Sequence, residues 1–380
     1  MTLSTTQPLA LLGGLSPRQF MERHWQRKPL LVRGAIAQMK PLLGRAELFE
    51  LAARDEVESR LVVRSGGTWK MRRGPLARRA MPPVSRPDWT LLVQGVDLHD
   101  DGGHALMKQF RFVPDARLDD LMISWASDGG GVGPHFDSYD VFLLQAVGKR
   151  RWRIGKQKDR QLQEGVPLKI LADFAPTQEY LLEPGDMLYL PPGYAHDGVA
   201  EGECQTYSIG FRAPARGELA RELLQRLSED AQDEVGAALY GDAGAAAVDK
   251  PAAIPAELRA FAADAMRAAL AEPLALDRAL GEYLTEPKAN VWFEGAPSPR
   301  SLGPVALDRR SRMMHDARHI FLNGESWRAA GRDATLMRRL ADRRALSADE
   351  VAGASEGAID LLRDWCEAGW LHSRKEAGNG

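Results

Sequence analysis

Between positions 59 and 211 the chain is broken by turn residues so often that few folds can accommodate it. Short β-branched or aromatic runs at 121–125, 140–147, 150–154, 187–190 and 207–211 alternate with turn signals. The turns fall at Gly129-Gly130-Gly131, Gly148, Pro184-Gly185-Asp186 and Pro191-Pro192-Gly193. Many short strands joined by tight turns predict a barrel or a two-sheet sandwich.

The flanking segments read differently. Ser16-Pro17-Arg18-Gln19 has the N-cap, first-turn proline and third-position glutamine of a helix start, and Pro29 stops that helix. Leu30-Leu31-Val32 then reads as a short strand closed by Gly34. From Gly217 to Tyr283 the composition turns to Ala, Leu, Glu and Arg at helical spacing, interrupted at 241–247, Pro251 and Pro255. Its apolar faces are more than packing on one barrel needs, so a homodimer contact is expected there. Beyond Ser301, a strand and turn at 320–324, helices at 334–341, 347–352 and 358–368, and a strand at 369–371 follow the order of a winged helix. Three domains are expected: a β domain at 1–215, a helical dimerisation unit at 216–300, and a winged-helix-like α+β unit at 301–380. In the last, Asp333, Asp342, Asp349, Glu350, Asp360 and Asp364 offset the arginines, which favours protein contact over direct nucleic-acid binding.

Charge narrows the function classes. Fifty Lys and Arg against 52 Asp and Glu leave a formal net charge of -2, which gives no general field for nucleic acid or an anionic membrane. A local exception lies around Arg64 to Arg79. The two cysteines, Cys204 and Cys366, are far apart and in no CxxC pair, which argues against a disulfide framework or a thiolate zinc site. No segment approaches the roughly 20 apolar residues that span a bilayer. The opening MTLSTTQPLALLGGL lacks the basic start and apolar stretch of a secretion signal, so a cytoplasmic location is expected.

One constellation carries chemistry. In Gly133-Pro134-His135-Phe136-Asp137, residues two apart on an extended chain aim an imidazole and a carboxylate to the same side. A second histidine, His196, follows the strand at 187–190 through Pro191-Pro192-Gly193. Two histidines and one carboxylate on one face of a metal form the facial triad of non-haem Fe(II) oxygenases, which leaves positions open for O₂ and a cosubstrate. Alternation from 150 to 154 puts Arg150, Trp152 and Ile154 on the inner face, with Arg151 and Arg153 outside. An arginine pointing into a barrel calls for an anionic partner, and the far carboxylate of a dicarboxylate cosubstrate meets that need. A buried pair with a protein carboxylate is the alternative.

At these residues the sequence resembles the JmjC-type 2-oxoglutarate oxygenases, most closely the bacterial ribosomal oxygenases that hydroxylate an arginine of a large-subunit ribosomal protein. The likeness rests on HWQRKPLLVRG from His24, RLDDLMIS from Arg117, GGGVGPHFDSYDVFLLQ from Gly129, Arg150 to Gly155, and EPGDMLYLPPGYAHDGV from Glu183. It implies a double-stranded β-helix, iron held by His135, Asp137 and His196, and 2-oxoglutarate bound by Arg150 and Ser124. It further implies O₂ as oxidant, Tyr139 beside the substrate, a ribosomal protein as partner, β-carbon hydroxylation of arginine, and a dimer formed through the middle unit. Rival readings are a JmjC lysine demethylase and a cupin-type metal protein that does not use 2-oxoglutarate. A binding protein built on an idle barrel is a third.

Overall fold

The computed structural model describes residues 4–271 and 273–373. Residues 1–3 and 374–380, the outer ends of the expected first and last domains, lie outside the described residues. The chain divides into two compact units, Met1–Ala213 and Pro214–Gly380.

The first unit is built on antiparallel strands: β1 (Leu30–Val32), β2 (Ser59–Ser65), β3 (Thr68–Arg73), β4 (Trp89–Val93), β5 (Leu118–Ala126), β6 (His135–Phe136), β7 (Val141–Gly155), β8 (Gln178–Leu182), β9 (Met187–Leu190) and β10 (Ala195–Phe211). Their order is β1-β9-β7-β10-β5-β4-β2-β3, with β8 added to β7 and β6 to β10. Two long strands explain how one ladder makes two layers. The first half of β7 pairs with β9 and its second half with β8. Likewise β10 pairs with β6 at its start and with β5 at its end. β7 and β10 remain paired throughout, with register shifts between Glu201 and Thr206. Both strands therefore turn a corner together and fold the sheet over itself, giving the antiparallel sandwich of a double-stranded β-helix.

Gly148 makes that corner. It has φ +63°, and a Cβ there would lie 2.1 Å from the Glu203 carbonyl oxygen, so only glycine fits. The expectation of two strands separated by a turn at Gly148 is corrected to one continuous bent strand. Side chains alternate about it. Phe142 and Leu144 join the large core with Phe20, Trp89, Trp125, Tyr189 and Phe211. Val141 and Leu143 face the opposite way, against Trp152, Ile154, Leu188 and Leu190, in the narrow core between the layers. On the outside, helix α1 (Pro17–Arg23) is capped by Ser16 and Gln19 as expected, but it ends at Arg23, ahead of Pro29.

The second unit begins with helices α2 (Arg216–Val235), α3 (Ala256–Ala269) and α4 (Pro273–Thr285). Small sheets follow, β12 (Met313–His315) with β13 (His319–Leu322) and β14 (Glu325–Arg328), and β11 (Val305–Leu307) between β15 (Ala345–Leu346) and β16 (Leu371–Ser373). Helices α5 (Gly331–Arg343), α6 (Ala348–Ala352) and α7 (Glu356–Glu367) pack Met337, Leu340, Val351, Leu362 and Trp365 onto those sheets in a winged-helix arrangement. Helix α4 sits close on β13: a Cβ at Gly281 would overlap the Phe321 ring at 2.2–2.4 Å. Among the described residues no helix is long and apolar enough to cross a membrane.

Candidate metal centre

The paired ends of β6 and β10 set His135 directly across from His196. Their ring centroids are 4.3 Å apart. Asp137, two residues along, places its Oδ2 3.6 Å from His196 Nε2. One ligand atom from each of the three lies within 4.8 Å of the others. The Gly193 N–H donates to the Asp137 carbonyl at 2.8 Å, which ties the proline-glycine loop before His196 to the HxD segment.

Backbone carbonyls orient both imidazoles. His135 Nδ1 lies 2.9 Å from the Gly133 carbonyl, and His196 Nδ1 lies 3.0 Å from the Tyr194 carbonyl. A carbonyl only accepts, so each Nδ1 carries the proton and each Nε2 keeps its lone pair for a metal. Burial, and then the neighbouring His135, hold His196 below the usual histidine range, so its imidazole is neutral at pH 7. Three nitrogen and oxygen donors converging on one point, with no lysine or arginine among them, fit a divalent metal of the Fe(II) type.

Arg150 sits deeper on the same wall. It is buried at 4% exposure, as are Trp152 and Ile154 on its face of β7. Arg151, by contrast, reaches outward to Glu179 and Glu201, and Arg153 to Asp197. Cross-strand neighbours share a face, and β10 sets His196 opposite Ile154, Gly198 opposite Trp152 and Ala200 opposite Arg150. The Trp152 ring centroid is 5.5 Å from the Arg150 guanidinium carbon and 5.8 Å from the His196 ring. The guanidinium and the imidazole are therefore no more than about 11 Å apart. Gly198 permits this, because a Cβ there would approach Trp152 ring carbons to 2.7 Å.

Among the described residues no carboxylate pairs with Arg150. Its Nη1 donates instead to Ser124 Oγ at 2.9 Å and to Thr206 Oγ1 at 3.2 Å. Thr206 Oγ1 in turn donates to Gln145 Oε1 at 2.8 Å, and Gln145 Nε2 to the Val147 carbonyl at 2.8 Å. Arg150 Nε and Trp152 Nε1 are buried donors without a hydrogen-bond partner. A cation held in place by neutral hydroxyls, beside two unmatched N–H groups, fits the carboxylate of an acidic cosubstrate. The alternative of a buried pair with a protein carboxylate is not what surrounds it.

Ser124 lies against Arg150 and also donates to the Thr206 carbonyl at 3.2 Å. Thr206 and Gln145 were missed. The strand expected at 207–211 begins at Ala195, and neutral polar residues in a buried row give no compositional signal. Tyr139 is 40% exposed at the rim. Partial burial, then the nearby Asp137 carboxylate, hold that phenol above its usual range. Asp140 is structural: fully buried, it accepts from Tyr189 Oη at 2.6 Å and Gln26 Nε2 at 3.2 Å.

A JmjC domain model matches residues 105–219, a ROXA-like winged-helix model matches 265–372, and an AraC-like ligand-binding domain model matches 175–284. Ribosomal protein uL16 3-hydroxylase of Escherichia coli (strain K12) is 37% identical over 275 residues, covering 70% of each chain. The chain belongs to the JmjC ribosomal oxygenases. A crystal structure of E. coli YcfD superposes with a TM-score of 0.82 at 30% identity, covering 94% of this chain and 98% of that one. A second structure of this ribosomal oxygenase, in complex with cobalt and 2-oxoglutarate, gives a TM-score of 0.78 at 29% identity over 95% and 99%.

Proposed function

We propose that this protein is an Fe(II)- and 2-oxoglutarate-dependent protein hydroxylase acting on the β-carbon of an arginine in a large-subunit ribosomal protein. The observation that carries the reading is Arg150: a buried cation without a protein carboxylate, on the same barrel wall as a His-Asp-His cluster. In this reading His135, Asp137 and His196 hold the metal from one face and leave the opposite positions open. Arg150, fixed by Ser124 and Thr206, takes the far carboxylate of 2-oxoglutarate, while Trp152 fills the wall between it and His196. Tyr139, near the Asp137 carboxylate at the rim, borders the incoming side chain. When bound, Fe(II), 2-oxoglutarate and O₂ supply the oxidant that hydroxylates an unactivated C–H bond, with release of succinate and CO₂. The uL16 3-hydroxylase relative supports the ribosomal target, and a ribosomal target supports a cytoplasmic location.

In functional terms the chain is read as an oxygenase segment at 1–215, a helical dimerisation segment at 216–300 and a winged-helix segment at 301–380. Exposed large apolar side chains support the homodimer: Leu224, Ile254, Phe261, Met266, Leu270 and Leu276 lie on or beside α2–α4.

The test is incubation with Fe(II), 2-oxoglutarate and air beside a panel of arginine-containing ribosomal-protein peptides, with succinate and peptide mass both read. A one-oxygen mass gain on one peptide, lost in His135→Ala and Arg150→Ala, is the expected result. Succinate release with every peptide unchanged would remove the arginine substrate. Neither product from protein with iron bound would remove the oxygenase.

A further inference from the structure

We propose that the β2–β3 hairpin and the loop after it form a docking surface for single-stranded RNA at the rim of the metal site. Between Ser59 and Pro87 the sequence carries eight Lys and Arg and no Asp or Glu, in a chain whose net charge is -2. Seven of these cations are exposed, among them Arg64, Lys70, Arg73 and Arg79. Among the described residues none of the eight is paired with a carboxylate, whereas Arg151, Arg153 and Arg33 elsewhere on the unit all are. A cluster of unpaired cations is costly in self-repulsion and attracts a polyanion strongly at short range.

Register places this surface beside the site. Arg73 pairs with Arg60, Arg60 with Leu92, and Leu92 with Ser124, so one row of side chains runs from the basic hairpin onto the wall that holds Arg150. Trp69 of β3 packs on Gly133, the residue whose carbonyl orients His135: a Cβ on Gly133 would lie 3.2 Å from its ring. β3 is the outermost strand of its sheet, so nothing in the ladder covers it.

The chemistry favours nucleic acid over an acidic protein segment. Guanidinium forks match phosphate oxygens, and seven of the eight cations are arginines. Trp69 is half-buried with the Arg64 guanidinium 5.8 Å from its ring centroid, the stacked arrangement on which a splayed base can lie. The commitment to RNA rather than DNA rests on the proposed ribosomal target, whose setting is RNA. The acidic balance of the whole chain gives no such field, so the affinity is local to this hairpin.

Fluorescence anisotropy with a labelled poly(U) RNA tests this in the full chain. Affinity should fall steeply with salt. Lys70→Glu/Arg73→Glu/Arg79→Glu should weaken binding by roughly tenfold or more and reduce the salt slope by about 2, at about 0.7 per lost phosphate contact. Lys28→Glu/Lys40→Glu, an equal kind of charge change off the hairpin, should leave the slope unaltered. Trp69→Ala should weaken binding and keep the slope. Melting curves on every variant show whether each is folded. No binding at low salt, a slope unchanged in the triple variant, or tighter binding of polyglutamate than of RNA at the hairpin overturns the proposal. No turnover enters the measurement, so a failure here is separate from a failure of arginine hydroxylation.

Discussion

Replacing Arg150 with methionine should separate what the residue does for the fold from what it does for a ligand. The change removes two hydrogen bonds, to Ser124 Oγ and Thr206 Oγ1. Each bond from a charged donor contributes about 1.5–3 kcal/mol. Neither hydroxyl is stranded by the loss, since Ser124 still donates to the Thr206 carbonyl and Thr206 to Gln145. Against this stands the penalty for burying a guanidinium with no anion, which is several kcal/mol after relaxation. Methionine is of similar length, flexible and content among Trp152 and its neighbours. The terms nearly cancel, so the ligand-free variant should be between unchanged and about 2 kcal/mol more stable. For a unit of this size that is a melting-temperature gain of up to roughly 6 °C. Ligand response should go the other way. With Co(II) present, 2-oxoglutarate at a hundred times its Kd should stabilise the parent protein by about 2.7 kcal/mol and the variant not at all. Differential scanning fluorimetry with and without 2-oxoglutarate reads both quantities. A ligand-free variant destabilised by more than about 2 kcal/mol would show that Arg150 is a structural partner, and the reasoning would fail.

Four further expectations can be checked with simple variants. Arg151→Ala, one residue away but outside, breaks exposed pairs with Glu179 and Glu201 and should shift stability by no more than about 1 kcal/mol without touching 2-oxoglutarate affinity, measured by the same melting assay. Gly198→Ala forces a methyl into the Trp152 ring and should destabilise by about 1–3 kcal/mol while raising the KM for 2-oxoglutarate more than it lowers kcat. Phe261→Glu/Met266→Glu should convert a dimer to a monomer in light scattering; an unchanged mass would remove the α3 surface from the interface. Burial pushes the Asp308 carboxyl up, but hydrogen bonds from Arg310 and His372 outweigh it and hold the carboxyl at about 2 against a usual 3.8. Its stabilisation is therefore complete above pH 3.8 and lost as pH falls through 2, so Asp308→Asn should be roughly 1–2 kcal/mol less stable at pH 7 with the gap closing in acid, as read by melting across pH.

The barrel and its inward arginine were legible because both rest on period-two alternation, which survives any tertiary detail. His135, Asp137 and His196 stood out because spacing and a proline-glycine lead mark them locally. What was illegible depends on the corner. Gly148 looks like a turn, and only pairing between β7 and β10 reveals that both strands run through the corner there. Thr206 and Gln145, which lie past that corner, could not be connected to Arg150 from sequence.

Strand β7 carries only the anion grip, Gln145 and Arg150, whereas β10 carries a member of each grip, His196 and Thr206. The register of β10 against β7 therefore sets how His196 and Thr206 stand relative to Arg150, and a slip of one residue in β10 would turn both of them away from it. The basic hairpin lies further along the same ladder, through β5, β4 and β2. The hairpin is nevertheless in touch with the chamber, because Trp69 packs on Gly133, whose carbonyl orients His135, so a change at that edge is felt at the His135 imidazole.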